Sequence, residues 1–384
     1  MKTACVILAA GLGKRMNSSV PKVLHRICGI TMLRSVIDTA QKLNPEKIVV
    51  VAGKHIELMK DSIGSKDVTF ALQEEPKGTG HAVSCARDAL SRFKGDIVIL
   101  NGDTPLVGPV TIKKFLRLHR KDGNVLSVLS FAADKPDNYG RVIRNGSGCL
   151  VSVVEDKDAG PAQKAIREVN SGVYAIKSDI LYLLDAIKIN RSKNEYYLTD
   201  IVAEAFARGL RTAAYCIGTE AEFMGINTKE ELHTASCLMK KRVIHTWIDK
   251  GVNFLDADSV SIDANVAIGK DTTIYPNVHL EGRTRIGDGA TIYPNVRIRN
   301  SIVGSGVAVK DSTVIEDSRV GDRASVGPFA HIRPGSEIGV DARVGNFVEL
   351  KKAVIGKGSK ASHLSYLGDA KIGNFRRQNR AALP

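Results

Sequence analysis

Two cations beside a glycine-rich turn are the first residues in this sequence that could do chemistry. Arg15 and Lys22 follow a turn that contains Gly11 and Gly13. Because glycine tolerates positive φ, the backbone N–H groups of such a turn can converge on one anion, and the two side chains add full positive charge beside them. This combination suits a polyphosphate. The alternative is an ordinary strand–turn–helix junction whose basic end is solvated.

The same stretch excludes two common phosphate-binding motifs. The dinucleotide fingerprint needs a third glycine at the position that Met16 occupies. The P-loop needs Gly-Lys followed by Ser or Thr, whereas this chain has Gly-Lys-Arg at 13–15. If the turn binds phosphate, it does so through neither of these motifs.

An aspartate that follows a second apolar strand is the candidate metal ligand. Asp103 comes directly after the apolar run 97–100 and Gly102. Phosphoryl or nucleotidyl transfer needs Mg²⁺, which prefers carboxylates together with substrate phosphates. The alternative is a turn or helix-capping aspartate before Pro105, and the residues alone leave both interpretations open.

Strands and helices alternate over residues 1–227 and must position these groups. Apolar runs predict strands at 4–10, 47–52, 96–101, 125–131 and 172–176. Amphipathic stretches predict helices at 32–42, 81–91, 111–121 and 199–208. The alternation predicts a Rossmann-like, doubly wound and mostly parallel α/β sheet. Ligands of such sheets bind at the carboxyl ends of strands, where the glycine turn and Asp103 both fall.

The order of motifs in this half resembles that of sugar-1-phosphate nucleotidylyltransferases, and more narrowly of UDP-N-acetylglucosamine pyrophosphorylases. The motifs are Leu-Ala-Ala-Gly-Leu-Gly-Lys-Arg-Met at 8–16, Pro-Lys-Val-Leu-His at 21–25, Gln-Glu at 73–74, Gly-Thr-Gly-His at 78–81, Asn-Tyr-Gly-Arg at 138–141, Val-Glu-Asp-Lys at 154–157, Val-Asn-Ser-Gly at 169–172 and Glu-Tyr-Tyr-Leu-Thr-Asp at 195–200. The resemblance implies a Mg²⁺-dependent uridylyltransferase that makes UDP-N-acetylglucosamine and pyrophosphate from UTP and N-acetylglucosamine-1-phosphate.

The resemblance also implies roles for single residues. Arg15 and Lys22 are catalytic, and Asp103 and Asn227 hold Mg²⁺. The implied substrate-binding residues of this half are Leu8, Ala9, Ala10, Gly11, Lys22, Gln73, Gly78, Thr79, Asn101, Gly102, Asp103, Gly140, Glu155, Asn170 and Asn227. Among these, Gln73 recognises uracil, for which its amide can offer a donor and an acceptor. Glu155 and Asn170 hold the sugar hydroxyls and the N-acetyl group.

A helix without glycine or proline separates the two halves. No glycine or proline occurs from 228 to 250, and Gly251 is expected to end the helix. The expected domains are a pyrophosphorylase domain (1–227), a linker helix (228–251), a β-helix (252–374) and a non-repeat tail (375–384).

The second half repeats an aliphatic residue every sixth position. One series is Ile262, Ile268, Ile274, Leu280, Ile286, Ile292 and Ile298, and another is Val314, Val320, Val326, Ile332, Ile338, Val344 and Leu350. This period is typical of hexapeptide repeats that stack as a parallel β-helix. The gap between Ile298 and Val314 is not a multiple of six, so a coil there must carry an inserted or shifted residue set. Similarity to hexapeptide acyltransferases implies a left-handed coil and a homotrimer.

Three segments of the second half resemble the acetyltransferase domain of the bifunctional family that makes UDP-N-acetylglucosamine in bacteria. They are Arg-Pro-Gly at 333–335, Gly-Asn-Phe-Val-Glu-Leu-Lys-Lys at 345–352 and the run 357–369. The match implies His363 as the general base, Arg333 and Lys351 on the sugar phosphate, Tyr366 on the sugar, and acetyl-CoA as co-substrate. After Asn374 the sequence departs from the family's further coils, so we expect the acetyltransferase half to be incomplete and its activity lost or severely impaired. The alternative is a fully bifunctional enzyme.

Composition limits the other function classes. The net charge of +14 suits anionic ligands, but no basic run is interleaved with aromatics and no zinc finger or RNP motif occurs, so nucleic acid is not the expected partner. No apolar stretch is long enough to cross a membrane, and the six cysteines form no C-x-x-C pair, so a cytoplasmic protein with reduced thiols is expected. A pyrophosphorylase for another sugar or nucleotide and a non-catalytic β-helix scaffold remain open alternatives.

Overall fold

The computed structural model describes residues 2–11, 13–64, 68–190 and 194–375. The chain divides into two compact units. The first is formed by Met1–Ile27 and Thr31–Ala235, and the second by Cys28–Ile30 and the chain from Ser236 onward. Of the expected non-repeat tail, residues 376–384 lie outside the described residues.

The first 248 residues contain the helices and the longer strands. The strands are β1 Thr3–Leu8, β2 Arg26–Ile27, β3 Ile30–Thr31, β4 Lys47–Ala52, β5 Val68–Leu72, β6 Asp96–Asn101, β7 Leu126–Ala132, β8 Arg141–Arg144, β9 Leu150–Val154, β10 Glu168–Lys177 and β11 Thr212–Cys216. The helices are α1 Met32–Gln41, α2 Ile56–Ile63, α3 Thr79–Cys85, α4 Arg87–Leu90, α5 Pro109–Lys121, α6 Pro161–Lys164, α7 Asp200–Ala207, α8 Glu220–Phe223 and α9 Lys229–Ile248. Short 3-10 helices span Lys14–Met16, Lys22–Leu24 and Ser178–Ala186.

The main sheet has the order β11-β7-β10-β6-β1-β4-β5, and the β8–β9 hairpin attaches to β10. β1 is parallel to β4 and β6, and β7 is parallel to β11, whereas β10 runs antiparallel to both of its neighbours. The predicted mostly parallel α/β sheet is confirmed.

Alternate side chains of the central strands face two different layers of packing. In β1, Ala4 and Val6 belong to the apolar cluster on one face of the sheet, and Cys5 and Ile7 belong to the cluster on the other. All four are fully buried. Burial on both faces is why these strands read as continuous apolar runs in the sequence rather than as alternating ones.

Several element boundaries differ from the predicted ones. The predicted helix 81–91 begins at Thr79 and breaks at Ala86 into α3 and α4. The predicted strand 172–176 begins earlier, at Glu168, and its register with β7 shifts between Asn170 and Tyr174. The irregular segment interrupts the apolar pattern, which is why only the second part of β10 was predicted.

The second unit consists of very short strands. They are β12 Asn253–Phe254, β13 Ser261–Ile262, β14 Ala267–Ile268, β15 Thr273–Ile274, β16 His279–Glu281, β17 Arg285–Ile286, β18 Thr291–Ile292, β19 Arg297–Arg299, β20 Ile302–Val303, β21 Ala308–Val309, β22 Val314–Glu316, β23 Arg319–Val320, β24 Ser325–Val326, β25 His331–Ile332, β26 Glu337–Ile338, β27 Arg343–Asn346, β28 Glu349–Lys351, β29 Val354–Ile355, β30 Lys360–His363, β31 Tyr366–Gly368 and β32 Lys371–Ile372. Each strand pairs in parallel with the third strand after it, which gives three seven-stranded sheets. This pairing is consistent with the predicted β-helix.

The inward aliphatic residues stack coil upon coil, but one predicted member is wrong. Ile262 pairs with Leu280 and Leu280 with Ile298, as the six-residue period predicts. The next residue on this stack is Ile315, which is fully buried, and not Val314, which is half-buried. The turn from β19 to β20 and the turn from β22 to β23 are each one residue shorter than the turn from β16 to β17. Ile315 therefore stands on the stack in place of Val314, whereas the predicted members from Val320 onward are buried as expected.

The helix α9 ends as its sequence predicts. Its last residue is Ile248, Gly251 has φ +86°, and the Val252 N–H donates to the Trp247 carbonyl oxygen at 3.0 Å. The Trp247 side chain packs against the apolar core of the second unit. In the part of the chain that the structure describes, none of the helices combines the length and the apolar character that a membrane crossing requires.

Candidate active site

Three neighbouring parallel strands end at the same level, and the ends of two of them, β1 and β6, line a cavity. Leu8 of β1 pairs with Val51 of β4 on one side and with Asn101 of β6 on the other. The Gly102 N–H then donates to the Leu8 carbonyl oxygen at 2.8 Å. The cavity has a volume of about 620 Å³. The predicted residues that line it are Leu8, Ala9, Ala10, Gly11, Lys22, Gln73, Gly78, Thr79, Asn101, Asp103 and Glu155.

The two glycines of the turn meet different constraints. Gly13 has φ +61°, and a Cβ on it would lie 2.6 Å from the Cβ of Lys22. Gly11 does not have positive φ, and a Cβ on it would meet nothing within 4 Å. Only Gly13 is therefore required by the fold, because its missing side chain leaves room for the stem of Lys22.

Lys22 joins the two predicted metal ligands. Its Nζ lies 2.5 Å from Asp103 Oδ2 and 3.0 Å from Asn227 Oδ1. The Lys22 side chain is only 10% exposed. Two oxygens from distant parts of the chain thus converge on one cation, and a carboxylate and an amide oxygen are ligands that Mg²⁺ accepts.

The convergence of these oxygens fits a shared metal ion in place of the ammonium group. Within the described residues no cluster of three or more His, Cys, Asp or Glu side chains could hold a metal by itself. Asp103 and Asn227 would therefore bind Mg²⁺ together with substrate phosphates and water, as Mg²⁺ commonly does.

Glu231 fixes Asn227, and the motif interpretation missed it. The Glu231 carboxylate accepts the backbone N–H of Asn227 at 2.5 Å and that of Thr228 at 3.0 Å. Thr228 Oγ1 in turn accepts the Glu231 N–H at 3.1 Å. This is a capping box at the start of α9, and its Thr-x-x-Glu signature was visible in the sequence.

The two basic residues after Gly13 are placed differently. Arg15 is exposed on the short helix Lys14–Met16, whereas Lys14 lines the cavity. The predicted catalytic role of Arg15 therefore requires that its long side chain turn toward bound substrate.

Both N–H groups of the Gln73 side-chain amide already have partners within the protein. Gln73 is 4% exposed, and its Nε2 donates to the Gly78 carbonyl oxygen at 3.1 Å and lies 3.0 Å from His81 Nδ1. With both N–H groups engaged, the amide can offer the cavity only its oxygen, rather than the donor and acceptor expected from the sequence.

A second cavity of about 230 Å³ adjoins the first. Leu8, Thr79, Asn101, Asp103 and Glu155 line both cavities. The smaller cavity is also lined by Gly140 and Asn170. The structure thus brings the residues implied for the sugar next to those implied for the nucleotide.

Glu155 and Asn170 are held by specific hydrogen bonds. Glu155 accepts from Thr199 Oγ1 at 3.1 Å, and burial, with smaller contributions from nearby aspartates, raises the pKa of its carboxyl. Asn170 Nδ2 donates to the Tyr174 hydroxyl at 2.9 Å, and its Oδ1 accepts the Gly172 N–H at 2.9 Å. Both side chains are thereby oriented before any sugar is bound.

A buried arginine supports the loop that carries Gly140. The Arg141 side chain is 1% exposed, pairs with Asp156 at 3.0 Å and donates to the Tyr139 carbonyl oxygen. The Gly140 carbonyl oxygen accepts the Asn170 N–H at 2.8 Å. Arg141 therefore supports the loop, and the backbone of Gly140 joins the loop to the strand that presents Asn170.

The four implied acetyltransferase residues lie on neighbouring coils of the second unit. The Arg333 N–H donates to the Leu350 carbonyl oxygen at 2.8 Å, so Arg333 lies beside Lys351 of the next coil. Tyr366 pairs with Glu349, whose carboxylate binds the Arg333 guanidinium at 2.9 Å. His363 ends the preceding strand, β30, and is exposed. Tyr366 begins the face on which Arg333 and Lys351 lie, and His363 ends the preceding strand of the same coil as Tyr366.

Both halves of the chain match known family descriptions. Residues 5–168 match the MobA-like NTP transferase domain, and residues 257–361 match the GMPPB C-terminal domain. Among solved structures, a UDP-glucose pyrophosphorylase complexed with UDP-glucose matches with a TM-score of 0.52 at 19% identity, over 63% of this chain and 100% of that chain. At this identity the likeness shows the fold alone.

Relatives match nearly the whole chain. It is 44% identical over 372 residues to Bifunctional protein GlmU of Geotalea uraniireducens, covering 96% of this chain and 81% of that protein. It is 45% identical over 369 residues to Bifunctional protein GlmU of Thermodesulfovibrio yellowstonii, again covering 96% and 81%. With the α/β fold and the cavity at its strand ends, this similarity shows that the chain is a nucleotidyltransferase enzyme of the GlmU family.

Proposed function

We propose that the chain is a Mg²⁺-dependent uridylyltransferase that converts UTP and N-acetylglucosamine-1-phosphate into UDP-N-acetylglucosamine and pyrophosphate. The observation that carries the proposal is the convergence of Lys22, Asp103 and Asn227, of which Asp103 lines both of the adjoining cavities. One cavity has the volume and the glycine turn for a nucleoside triphosphate, and the other has Glu155 and Asn170 for a sugar.

The reaction is an in-line displacement at phosphorus. An oxygen of the sugar phosphate attacks the α-phosphorus of UTP, and the bond from that phosphorus to the bridging oxygen of pyrophosphate breaks. No covalent intermediate with the protein is needed, so the chain contributes positioning and charge stabilisation. Mg²⁺ held by Asp103 and Asn227 would supply neutralisation of phosphate charge.

Each predicted residue has a defined task in this scheme. Lys22, released from Asp103, neutralises the α-phosphate region, and Arg15 stabilises the charge that develops on the departing pyrophosphate. Backbone N–H groups of the glycine turn bind the triphosphate. Glu155 and Asn170 orient the sugar so that its phosphate oxygen faces the α-phosphorus.

The test is pyrophosphate release by the purified chain. UTP, Mg²⁺ and N-acetylglucosamine-1-phosphate are supplied together, and parallel reactions replace the sugar by glucose-1-phosphate or the nucleotide by another triphosphate. Release that requires the first combination supports the proposal. Faster release with another pair would assign a related pyrophosphorylase, and silence in all of them would leave the scaffold alternative.

We further propose that the second unit is a left-handed parallel β-helix that forms a homotrimer. Phe329, Phe347 and Leu364 occupy equivalent corner positions in successive coils and are 52, 55 and 76% exposed. The two phenyl rings stack with centroids 5.3 Å apart. All three have positive φ, which bulky residues rarely adopt. An exposed apolar column of this kind supports an interface with another copy, and sedimentation that shows only monomer at micromolar concentration would refute it.

The positions of His363, Arg333, Lys351 and Tyr366 on neighbouring coils support a second candidate activity. We propose that these residues bind glucosamine-1-phosphate, whose amine His363 would deprotonate before attack on acetyl-CoA. Impairment of this activity stays a prediction. Free CoA released from acetyl-CoA and glucosamine-1-phosphate at a rate near that of pyrophosphate formation would contradict it.

A cytoplasmic location is part of the same proposal. All six cysteines are free thiols, and Cys149, Cys216 and Cys237 are exposed. Exposed thiols persist in a reducing compartment.

A further inference from the structure

Two partners together hold the orientation of the Gln73 amide, and the first is a backbone carbonyl. The Gly78 carbonyl oxygen lies 3.1 Å from Nε2 of Gln73, and a carbonyl oxygen can only accept. The amide must therefore turn its NH₂ group, not its oxygen, toward Gly78. One of the two N–H groups is used in this bond.

The second N–H group of Gln73 points to His81. Nε2 lies 3.0 Å from His81 Nδ1, so Nδ1 must accept and the proton of the neutral ring must sit on Nε2. His81 Nε2 lies 3.9 Å from Cys85 Sγ, which can accept weakly. Burial raises the pKa of Cys85, so this partner is a neutral thiol.

These bonds decide what Gln73 can offer a pyrimidine. With both N–H groups held, only Oε1 is left for the base, and Gln73 lines the larger cavity. Uracil has a donor at N3, which an amide oxygen accepts. Cytosine has an acceptor at N3, so the two lone pairs would face each other without a hydrogen.

We infer that His81 is a specificity-determining positioning residue, which locks the Gln73 amide with its oxygen toward the base and so selects uracil over cytosine. The inference deepens the proposed uridylyltransferase function and rests on it. His81 itself contacts Gln73 and Cys85 and acts through the former.

The space beside His81 leaves room for other side chains, which makes the inference testable. His81 is half-buried and lines a separate cavity of about 370 Å³ together with Ser84, Leu184 and Tyr196. A side chain of different shape can extend into this space without displacing the core of the sheet.

The experiment compares His81→Phe, which keeps a ring without an acceptor, with His81→Asn, whose side-chain oxygen can stand near the position of Nδ1. The specificity constants for UTP and CTP are measured by pyrophosphate release. In His81→Phe a buried N–H of Gln73 loses its partner. We therefore expect kcat/KM for UTP to fall about tenfold, mainly because KM rises. The ratio of kcat/KM for UTP to kcat/KM for CTP should fall by about the same factor. His81→Asn should recover most of both.

Calorimetry of UTP and CTP binding measures the preference between the two nucleotides without turnover. If the wild-type chain releases no pyrophosphate but binds UTP more tightly than CTP, and His81→Phe removes that preference, the proposed reaction fails and the role of His81 stands. If His81→Phe only lowers the melting temperature and keeps the UTP-to-CTP ratio, the residue is merely structural and the inference is overturned. A wild-type chain without preference for UTP overturns it as well.

Discussion

At the scale of single residues, both the backbone conformation and the lack of space exclude a side chain at Gly13. Its positive φ disfavours any side chain, and a Cβ there would collide with the stem of Lys22 at 2.6 Å. Gly13→Ala is expected to lower the free energy of unfolding by about 1–2 kcal/mol and to reduce kcat/KM by about 10²-fold, because Lys22 is displaced from Asp103.

Gly11→Ala is the matched control for stability. Its Cβ meets nothing within 4 Å, so the melting temperature should not fall. Thermal unfolding and pyrophosphate release of both variants separate the two effects. Equal stability of both variants would contradict the constraint assigned to Gly13.

Arg15 is exposed, so its removal should act on catalysis and not on folding. Arg15→Ala is expected to lower kcat by about 10²-fold or more at an unchanged melting temperature, since a cation that stabilises developing charge is lost. Arg15→Lys keeps the charge but lacks the planar guanidinium group, so its kcat should lie between that of the wild-type chain and that of Arg15→Ala. Near-wild-type turnover of Arg15→Ala would exclude the proposed role.

Glu155 should lower stability at neutral pH while serving the sugar site. Burial raises the pKa of its carboxyl above the value in the unfolded chain, so the folded state binds the proton more tightly. This contribution to stability is fully present below about pH 4, the unfolded pKa of glutamate, and is lost as the pH rises through the folded pKa.

Glu155→Gln is therefore expected to raise the melting temperature at neutral pH, to leave it nearly unchanged at acid pH, and to raise KM for the sugar phosphate about tenfold. Thermal unfolding across this pH range and steady-state kinetics at neutral pH are the measurements. A lower melting temperature at neutral pH would show that the carboxylate stabilises the fold.

At the scale of elements, the sequence predicts strands well where both faces are buried and poorly elsewhere. The predicted bounds of β4 and β6 agree with the structure because continuous apolar runs leave no other interpretation. β5 was not predicted, since its residues are half-buried or exposed at the sheet edge. Val314 was assigned to the wrong register because one missing residue at a turn is invisible to a strict six-residue period.

The same difference holds for the residues of the site: those positioned by one strand could be predicted from the sequence, and those positioned by contacts between distant segments could not. Gly102 and Asp103 directly follow strand β6, and the strand alone determines where they lie. The sequence pattern of the strand therefore indicates both residues. The commitment of Gln73 to His81 depends on side-chain orientation and could not be predicted from spacing. Glu231 was recognisable from its capping box, but its tie to Asn227 needs the fold.

The capping box of α9 leads to an element-scale prediction. Glu231→Ala removes the carboxylate that holds the N–H groups of Asn227 and Thr228. We expect about 1 kcal/mol less stability and a severalfold higher Mg²⁺ concentration for half-maximal rate, because the proposed ligand Asn227 is no longer fixed. Glu230→Ala, at the exposed neighbouring position, should change neither. An unchanged Mg²⁺ requirement in Glu231→Ala would refute the positioning role.

At the scale of the whole molecule, a buried carboxylate joins three elements of the first unit. Asp96 of β6 is fully buried and binds Arg120 of α5 at 2.6 Å and Lys177 of β10 at 2.8 Å. Burial by itself would raise its pKa, but the His119 ring 3.6 Å away and the hydrogen bonds from Lys177 and Arg120 outweigh burial and hold the pKa of Asp96 well below its usual range. The unfolded chain therefore binds the proton more tightly than the folded one.

The direction of the Asp96 pKa shift determines the pH range in which the network stabilises the fold. The stabilisation is present above about pH 4, the unfolded pKa of aspartate, and is lost as the pH falls toward the folded value. Asp96→Asn is expected to cost about 3 kcal/mol at neutral pH, since a buried ion pair loses one partner, and to show a flatter decline of stability in acid.

The two units have separate apolar cores, so unfolding of the whole chain is not expected to be a single two-state step. Calorimetry should show Asp96→Asn lowering the transition of the first unit and leaving that of the second in place. Glu46→Gln breaks an ion pair with Lys2 in which both side chains are about half exposed or more, and it should cost less than about 0.5 kcal/mol. If both variants cost the same, the buried network of Asp96 holds the unit together no better than a surface pair, and the acid window assigned to it is wrong.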